Sequence, residues 1–182
     1  MHSVDSNYIK NIIRTIPDWP EKGVMFRDIT PLFQDAKALR GFMDAFIQRY
    51  IDKDIDVIAG IDARGFLIGV TVSYALNISF VPIRKKGKLP WKTISKEYEL
   101  EYGKEEIEIH IDAIKKGDRV VVMDDLIATG GTMIAGIELV RQLGGEVVEA
   151  AAIVDLPDLG GSRKIYELTK VPVFTICAFE GH

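Results

Sequence analysis

An apolar stretch that leads into two adjacent aspartates and then a loop of small residues runs from Val120 to Thr132, as VVVMDDLIATGGT. Small residues allow backbone N–H groups to line a concave loop, and a helix beginning near Thr132 would add the positive end of its dipole. Carboxylates accept charge-assisted hydrogen bonds from the vicinal hydroxyls of a ribose. The pattern therefore predicts a site for a phosphate and its ribose, formed by Asp124, Asp125, Ala128, Thr129, Gly130, Gly131 and Thr132.

Other uses of this stretch are either excluded or remain open. No lysine follows the glycines, as a nucleoside-triphosphate loop would require, and the chain contains no GxGxxG dinucleotide motif. A structural alternative is that the aspartates cap a turn and TGGT is only a tight connection from a strand to a helix.

Short apolar strands alternate with helical patterns through most of the chain, which predicts an α/β fold. The predicted strands VIAGI, FVPIR, RVVVM and VVEAAAIV are nearly continuous apolar runs, typical of a parallel sheet covered by helices on both faces. Ligands of such sheets bind at the carboxyl ends of the strands, which is where Asp124 and Asp125 follow RVVVM.

The remaining segments have other periods. Tyr8 to Ile16 have helical spacing, capped by Ser3 or Asp5, so we expect a first helix that ends at Pro17. A second helix is predicted from Asp35 to Tyr50, with Asp35 as its N-cap. The segment ISKEYELEYGKEEIEIHI alternates polar and apolar residues, which predicts an exposed antiparallel hairpin that projects from the sheet and turns near Tyr102 and Gly103.

Composition limits the classes of function. The 182 residues predict one domain, and the net charge of −4 favours neither nucleic acid nor an anionic membrane as partner. Cys177 is the sole cysteine, so no intrachain disulfide forms. The start of the chain has no signal-peptide pattern and no apolar run is long enough to span a membrane, so we expect a cytoplasmic protein.

The ordered string from Val120 to Thr132 resembles the 5-phosphoribosyl-1-pyrophosphate (PRPP) signature of type I phosphoribosyltransferases. Four further segments are similar to the adenine-specific family, in the same order and at similar spacing: WPEKGVMFRDITPLF, IAGIDARGF, IRKKGKLP and YELEYGKEEIEIHIDAI. The resemblance implies purine salvage, in which PRPP and adenine give AMP and pyrophosphate with Mg²⁺. It also implies the type I fold and a homodimer, with a hood at 1–34, a PRPP-binding core at 35–154 and a C-terminal segment at 155–182.

Roles for individual residues follow from the same resemblance. It implies that Arg64, Arg84 and Lys88 bind the pyrophosphate, while Mg²⁺ is held mainly by PRPP and water. Glu101 and Tyr102 match the catalytic loop, in which the glutamate handles the N7 proton of the purine. The adenine contacts would come from Val24, Phe26, Arg27 and Leu159.

Less specific interpretations of these residues stay open. KKGK is also typical of a solvated basic turn, Glu101 and Tyr102 of exposed hairpin residues, and Phe26 and Leu159 of a packed core. The PRPP signature alone does not separate adenine from xanthine or hypoxanthine as substrate. A non-enzymatic PRPP sensor that binds DNA would need a basic module, which this acidic chain with its single short N-terminal helix does not suggest.

Overall fold

Successive residues of the strand before the two aspartates face two different hydrophobic cores. In the computed structural model, which describes residues 5–99 and 103–181, Val121 and Met123 lie in one buried cluster, and Val120 and Val122 lie in the other. This is the period-two alternation of a strand with both faces covered. It confirms the predicted α/β class, with a mainly parallel sheet between helices.

The sheet is formed by eight strands among the described residues: β3 (Val57–Ile61), β4 (Ser79–Lys85), β5 (Thr93–Glu99), β6 (Lys104–His110), β7 (Arg119–Met123), β8 (Leu126–Ile127), β9 (Glu146–Asp155) and β10 (Val173–Ala178). Their order is β10-β9-β7-β3-β4-β6-β5, with the short β8 added beside β9. Neighbours from β10 to β4 run parallel, while β6 pairs antiparallel with both β4 and β5.

The covering helices lie on opposite faces of this sheet. Helices α3 (Ala36–Tyr50) and α4 (Arg64–Leu76) contribute to one core, whereas α5 (Gly131–Gln142) and α6 (Gly161–Thr169) contribute to the other. Asp35 caps α3 by accepting a hydrogen bond from the N–H of Ala38, as the sequence predicts. Among the residues that the structure describes, no helix combines the length and the hydropathy needed to cross a membrane.

The N-terminal segment differs from the sequence prediction. Helix α1 (Ser6–Ile12) is capped by Asp5 but ends before Ile13, and Ile16 lies in β1 (Arg14–Pro17). Strand β1 pairs antiparallel with β2 (Met25–Asp28), where Ile16 faces Phe26 across the ladder, and α2 (Thr30–Gln34) follows. The expected helix to Pro17 is therefore wrong, because pairing with β2 prevails over the helical spacing of the isoleucines.

The hairpin of β5 and β6 is present, but it is not the exposed element that the alternation suggests. Ile107 and Ile109 are buried in the core on the α5 side, and β6 joins the sheet through the pairing of Arg84 with Glu108. Beyond that pairing the hairpin continues past the carboxyl end of β4, because Lys104 pairs only with Glu99 of β5.

A buried ion pair ties α3 to the central sheet. Glu149 of β9 accepts hydrogen bonds from Arg49 Nε and Nη2, each at 2.6 Å, and from the Tyr50 hydroxyl at 2.6 Å. Burial raises the pKa of Glu149, but the hydrogen bonds from Arg49 and Tyr50 outweigh burial and leave that pKa below its ordinary value. The carboxylate is thus satisfied inside the protein, which keeps the helix in register with β9.

Candidate active site

The acidic pair after β7 is held by the backbone of β9. The N–H of Asp124 donates to the carbonyl of Ala151 at 3.0 Å, and the carbonyl of Asp125 accepts from the N–H groups of Ile153 and Val154 at 3.0 and 3.1 Å. These bonds continue the parallel pairing of β7 with β9 past the end of the strand. Both carboxylates are therefore fixed at the carboxyl edge of the sheet.

One aspartate of the pair is neutralised by a cation and the other is not. Arg64 Nε lies 2.5 Å from Oδ2 of the buried Asp125, while Asp124 Oδ1 accepts the N–H of Asp125 at 2.8 Å. Burial and the negative charge of Asp125 raise the pKa of Asp124 well above its ordinary value, against smaller opposing effects of the Asp125 N–H and Arg64. Asp124 is thus a carboxyl group whose ionisation is costly until a ligand supplies hydrogen-bond donors.

The loop of small residues packs directly against the start of α6. The N–H of Gly161 donates to the carbonyl of Ala128 at 3.1 Å, and a Cβ on Gly161 would clash with that carbonyl oxygen. Gly130 has φ +80° and a Cβ there would meet the carbonyl oxygen of Gly161 at 2.8 Å. Helix α5 begins at Gly131, so its amino end opens onto the loop, next to Thr132.

A cavity of about 660 Å³ lies between the predicted hood and the carboxyl edge of the sheet. It brings together residues that the sequence selected from separate segments, since the hood, the β3–α4 connection, the loop after β7 and the segment after β9 all contribute to its lining. Those residues are Val24, Phe26, Arg27, Arg64, Asp125, Ala128 and Leu159.

The hood side of the cavity is shaped by aromatic and backbone contacts. The ring of Phe26 meets that of Trp19 edge to face, with centroids 4.3 Å apart. The N–H of Val24 donates to the carbonyl of Glu21 at 3.2 Å, which holds the turn that lines this side of the cavity. Leu159, at the end of a short 3₁₀ turn, forms part of the wall contributed by the C-terminal segment.

The side chain of Arg27 connects the hood with the C-terminal segment. Its Nη1 bonds to Thr15 Oγ1 at 2.5 Å, and its guanidinium carbon lies 4.5 Å from the centre of the Phe179 ring. The N–H of Gly181 bonds to Asp158 at 2.6 Å, next to Leu159. Phe179 and Gly181 thereby connect the two walls of the cavity.

The basic residues at the end of β4 and just after it, Arg84 and Lys88, do not line this cavity. Arg84 Nε lies 3.3 Å from Oδ2 of Asp62, and Arg84 Nη1 donates to the carbonyl of Lys88 at 3.1 Å. The side chain of Arg84 is about one-third exposed, and Lys88 is exposed. These cations lie at the carboxyl end of β4, whereas Arg64 lies at the start of α4 and contacts the acidic pair.

Glu101 and Tyr102 lie outside the described residues. The described residue before them, Glu99, has its carbonyl oxygen 3.1 Å from where a Cβ on Gly131 would lie. The hydroxyl of Tyr98 donates to Glu105 at 2.9 Å, and burial raises the pKa of Tyr98 to about 12. This end of the hairpin therefore lies against the amino end of α5.

Several residues that position the site were not found by the sequence reasoning. Asp62 pairs with Arg84, Phe179 packs on Arg27, and Glu108 bonds the backbone of the basic segment. The sequence offered no signal for Glu108, because its place between Ile107 and Ile109 in an alternating strand favours exposure.

The comparisons with known proteins agree with this geometry. A model of the phosphoribosyl transferase domain matches residues 31–176. An adenine phosphoribosyltransferase of Cupriavidus taiwanensis is 61% identical over 177 residues, which cover 97% of this chain and 93% of the relative. The chain belongs to the adenine phosphoribosyltransferase family.

Solved structures of that family have the same fold. The enzyme of Thermoanaerobacter pseudethanolicus is 45% identical with a TM-score of 0.90, covering 96% of this chain and 99% of that one. The Trypanosoma brucei enzyme, in complex with AMP, pyrophosphate and ribose 5-phosphate, is 31% identical with a TM-score of 0.88, covering 95% of this chain and 79% of that one. The predicted type I fold with its antiparallel hairpin is confirmed.

The close contact between Gly130 and Gly161 allows the role of the loop geometry in PRPP binding to be tested. We expect Gly130→Ala to weaken PRPP binding by more than about tenfold, because positive φ and a backbone clash both force the loop to move. Gly117→Ala is the matched control, since Gly117 has φ +87° with nothing within 4 Å of its Cβ position. Titration calorimetry compares the two, and equal PRPP affinities would show that the loop geometry is not needed for binding.

Proposed function

We propose that the protein transfers the 5-phosphoribosyl group of PRPP to N9 of adenine, releasing pyrophosphate and forming AMP. The observation that carries this proposal is the cavity that the aromatic hood shares with the end of β7, because one ligand can reach both Phe26 and Asp125. The names of the relatives supply the base, and the resemblance of the PRPP signature supplies the sugar phosphate.

Each part of the substrates has a suitable place in this cavity or next to it, since Asp125 and Ala128 line it and Asp124 and residues 129–132 adjoin them in the chain. The 5-phosphate fits the loop of residues 128–132 at the amino end of α5, where backbone N–H groups and the helix dipole favour an anion. The ribose hydroxyls fit Asp124 and Asp125. The base fits between Phe26 and Leu159, with its amino group near the carbonyl of Val24.

The reaction breaks the C1–O bond of PRPP and forms a bond from C1 to N9 of adenine. Negative charge develops on the departing pyrophosphate, so Arg64, Arg84 and Lys88 lower the barrier most when they are held where that charge appears. As N9 bonds to C1, the proton at N7 of the base is taken up by Glu101.

Mg²⁺ fits the donor groups at this edge of the sheet. Proteins usually hold this ion through one or two carboxylates together with substrate phosphates and water. The phosphates of PRPP and water would hold most of the ion, and Asp124 is the carboxylate of the pair that Arg64 does not bond. When bound with PRPP, Mg²⁺ would neutralise the pyrophosphate and orient it.

Base selectivity is the direct test of the proposed function. We expect turnover with adenine and a kcat/KM at least about a hundredfold lower with hypoxanthine, because polar groups left unpaired by the wrong base are costly. A steady-state assay with PRPP, Mg²⁺ and each purine base measures this. A comparable kcat/KM for hypoxanthine or xanthine would replace the proposed base but leave the phosphoribosyl transfer in place.

The role of Glu101 is tested separately from substrate binding. We expect Glu101→Leu to lower kcat by roughly 10²- to 10⁴-fold, the usual contribution of a positioned acid or base. PRPP affinity should stay close to that of the wild type, since other residues hold its phosphates and ribose. Glu99→Leu is the control, because Glu99 is an exposed glutamate two residues earlier in the chain. If both variants turn over within a few fold of wild type, Glu101 has no catalytic role.

We also propose a homodimer formed through one face of α4. Leu67, Val70 and Tyr74 are 51%, 49% and 89% exposed and follow one another at helical spacing. An apolar stripe of this kind is costly in water and suits a second copy of the same helix.

A charge in the α4 stripe tests the dimer. We expect the wild type to sediment at about twice its 20.3 kDa mass, and Val70→Glu to sediment as a monomer, because a buried unpaired carboxylate opposes association. Leu168→Glu, at a position 66% exposed on α6, should leave the mass unchanged. A dimeric Val70→Glu protein would exclude this face as the interface.

A further inference from the structure

A buried carboxylate on β6 bonds the backbone of the segment that carries the basic residues and the side chain of the first residue of β5. Glu108 is 3% exposed. Its Oε1 accepts the N–H groups of Lys88 and Leu89 at 3.0 and 2.9 Å, and its Oε2 accepts the hydroxyl of Thr93 at 3.1 Å. A single side chain thus holds the middle and the end of the connection from β4 to β5.

Other backbone bonds hold the start and the end of that connection. The N–H of Lys86 donates to the carbonyl of Glu106 at 2.9 Å, the N–H of Lys88 also donates to the carbonyl of Lys85 at 3.2 Å, and the carbonyl of Lys92 accepts the N–H of Ile111 at 3.1 Å. Residues 86–92 form no helix or strand, and Gly87 at φ +79° has nothing within 4 Å of its Cβ position. The peptide groups on either side of Lys88 are nevertheless fixed, because its N–H bonds to Glu108 while its carbonyl accepts Nη1 of Arg84 at 3.1 Å. The ladder pairing of Arg84 with Glu108 places the three residues side by side.

A second carboxylate on the same face of β6 provides a comparison. Glu106 bonds to Lys86 Nζ at 2.7 Å and to the hydroxyl of Ser95. Its side chain is 37% exposed, and these two bonds join side chains. Glu106 therefore contributes little to the path of the backbone, whereas Glu108 determines it.

We propose that Glu108 is a positioning residue for pyrophosphate recognition, fixing the backbone of Lys88 so that Lys88 and Arg84 present their charges together at the carboxyl end of β4. This rests on the proposed function, in which those two residues bind the pyrophosphate of PRPP. Glu108 itself contacts no substrate. Charge-assisted bonds from two backbone N–H groups give the anchor its strength, and without them the N–H of Lys88 would keep the longer, uncharged bond to the carbonyl of Lys85.

The test compares two substitutions of the anchor. Glu108→Gln keeps an oxygen for both N–H groups and a donor for Thr93 Oγ1, so it should bind pyrophosphate within about threefold of wild type. Glu108→Met keeps the shape but removes the acceptors. We expect it to weaken pyrophosphate binding, measured by calorimetry, and to raise the KM for PRPP, each by roughly ten- to a hundredfold. Its KM for adenine should not change.

The pattern of these constants separates positioning from general damage. A purely structural role would alter both KM values alike, or lower the amount of active protein, and would overturn the proposal. So would wild-type pyrophosphate affinity in Glu108→Met. Glu106→Gln is the control and should match the wild type. If Glu108→Met fails to fold in a thermal melt, Glu108→Asp decides, since it keeps the charge but withdraws the carboxylate from both N–H groups by one methylene; unchanged pyrophosphate affinity there would overturn the proposal.

Failure of the proposed function has a different signature. If the wild type binds pyrophosphate but uses a base other than adenine, the loss of pyrophosphate affinity in Glu108→Met still supports the anchor. If the wild type turns over adenine and Glu108→Met binds pyrophosphate normally, the anchor alone is wrong.

Discussion

The backbone bonds from β9 to the chain that follows β7 determine where the site lies. Ile153 and Val154 both donate to the carbonyl of Asp125, and further along the N–H of Leu156 donates to Ile127 at 3.0 Å. The bond from Gly161 to Ala128 completes the series. One strand and its extension therefore hold the acidic pair, the small-residue loop and the cavity wall that contains Leu156 and Leu159. A displacement of the loop would also move that wall, so the proposed phosphate and base sites have a fixed separation.

The acidic pair at this edge of the sheet favours the binding of a ligand rather than the stability of the empty protein. The pKa of Asp124 in the folded chain lies above its ordinary value of 3.8, through burial and the charge of Asp125. A carboxyl group shifted upward binds its proton more tightly when folded, so the free energy of unfolding falls as pH rises from 3.8 towards the folded pKa. Hydroxyl donors from a ribose would favour the ionised form and offset this cost. A carboxyl group whose pKa is raised in this way, near a cation such as Arg64, is typical of a binding site rather than of a structural turn.

The sequence predicted the elements that follow from one period and missed those that depend on long-range pairing. The helix after Asp35 and the apolar strands show clear periodicity, and each was found. Ile16 has helical spacing with Ile9 and Ile12, but a partner strand nine residues further along draws it into β1. Glu108 follows a strand alternation that favours exposure, yet the connection from β4 crosses it and buries it. Both causes lie in another segment of the chain, so the period of the residues around Ile16 or Glu108 does not contain them. The site residues from the PRPP signature were selected by a local pattern, which is why they needed no knowledge of the fold.

The basic segment and the hairpin are coupled, since both are hydrogen-bonded to β6. Glu108 anchors the segment of Lys88 from the sheet end of that strand, and Glu105 near its other end accepts the hydroxyl of Tyr98. Strand β5 begins at Thr93, which bonds Glu108, and ends at Glu99, which lies against Gly131 at the start of α5. A rotation of the hairpin about the sheet would therefore act on Thr93 and through Glu108 on the Lys88 backbone. The distance between the cations after β4 and the small-residue loop is thus set by the pairing of β5 with β6, seven residue pairs long, rather than by either loop alone.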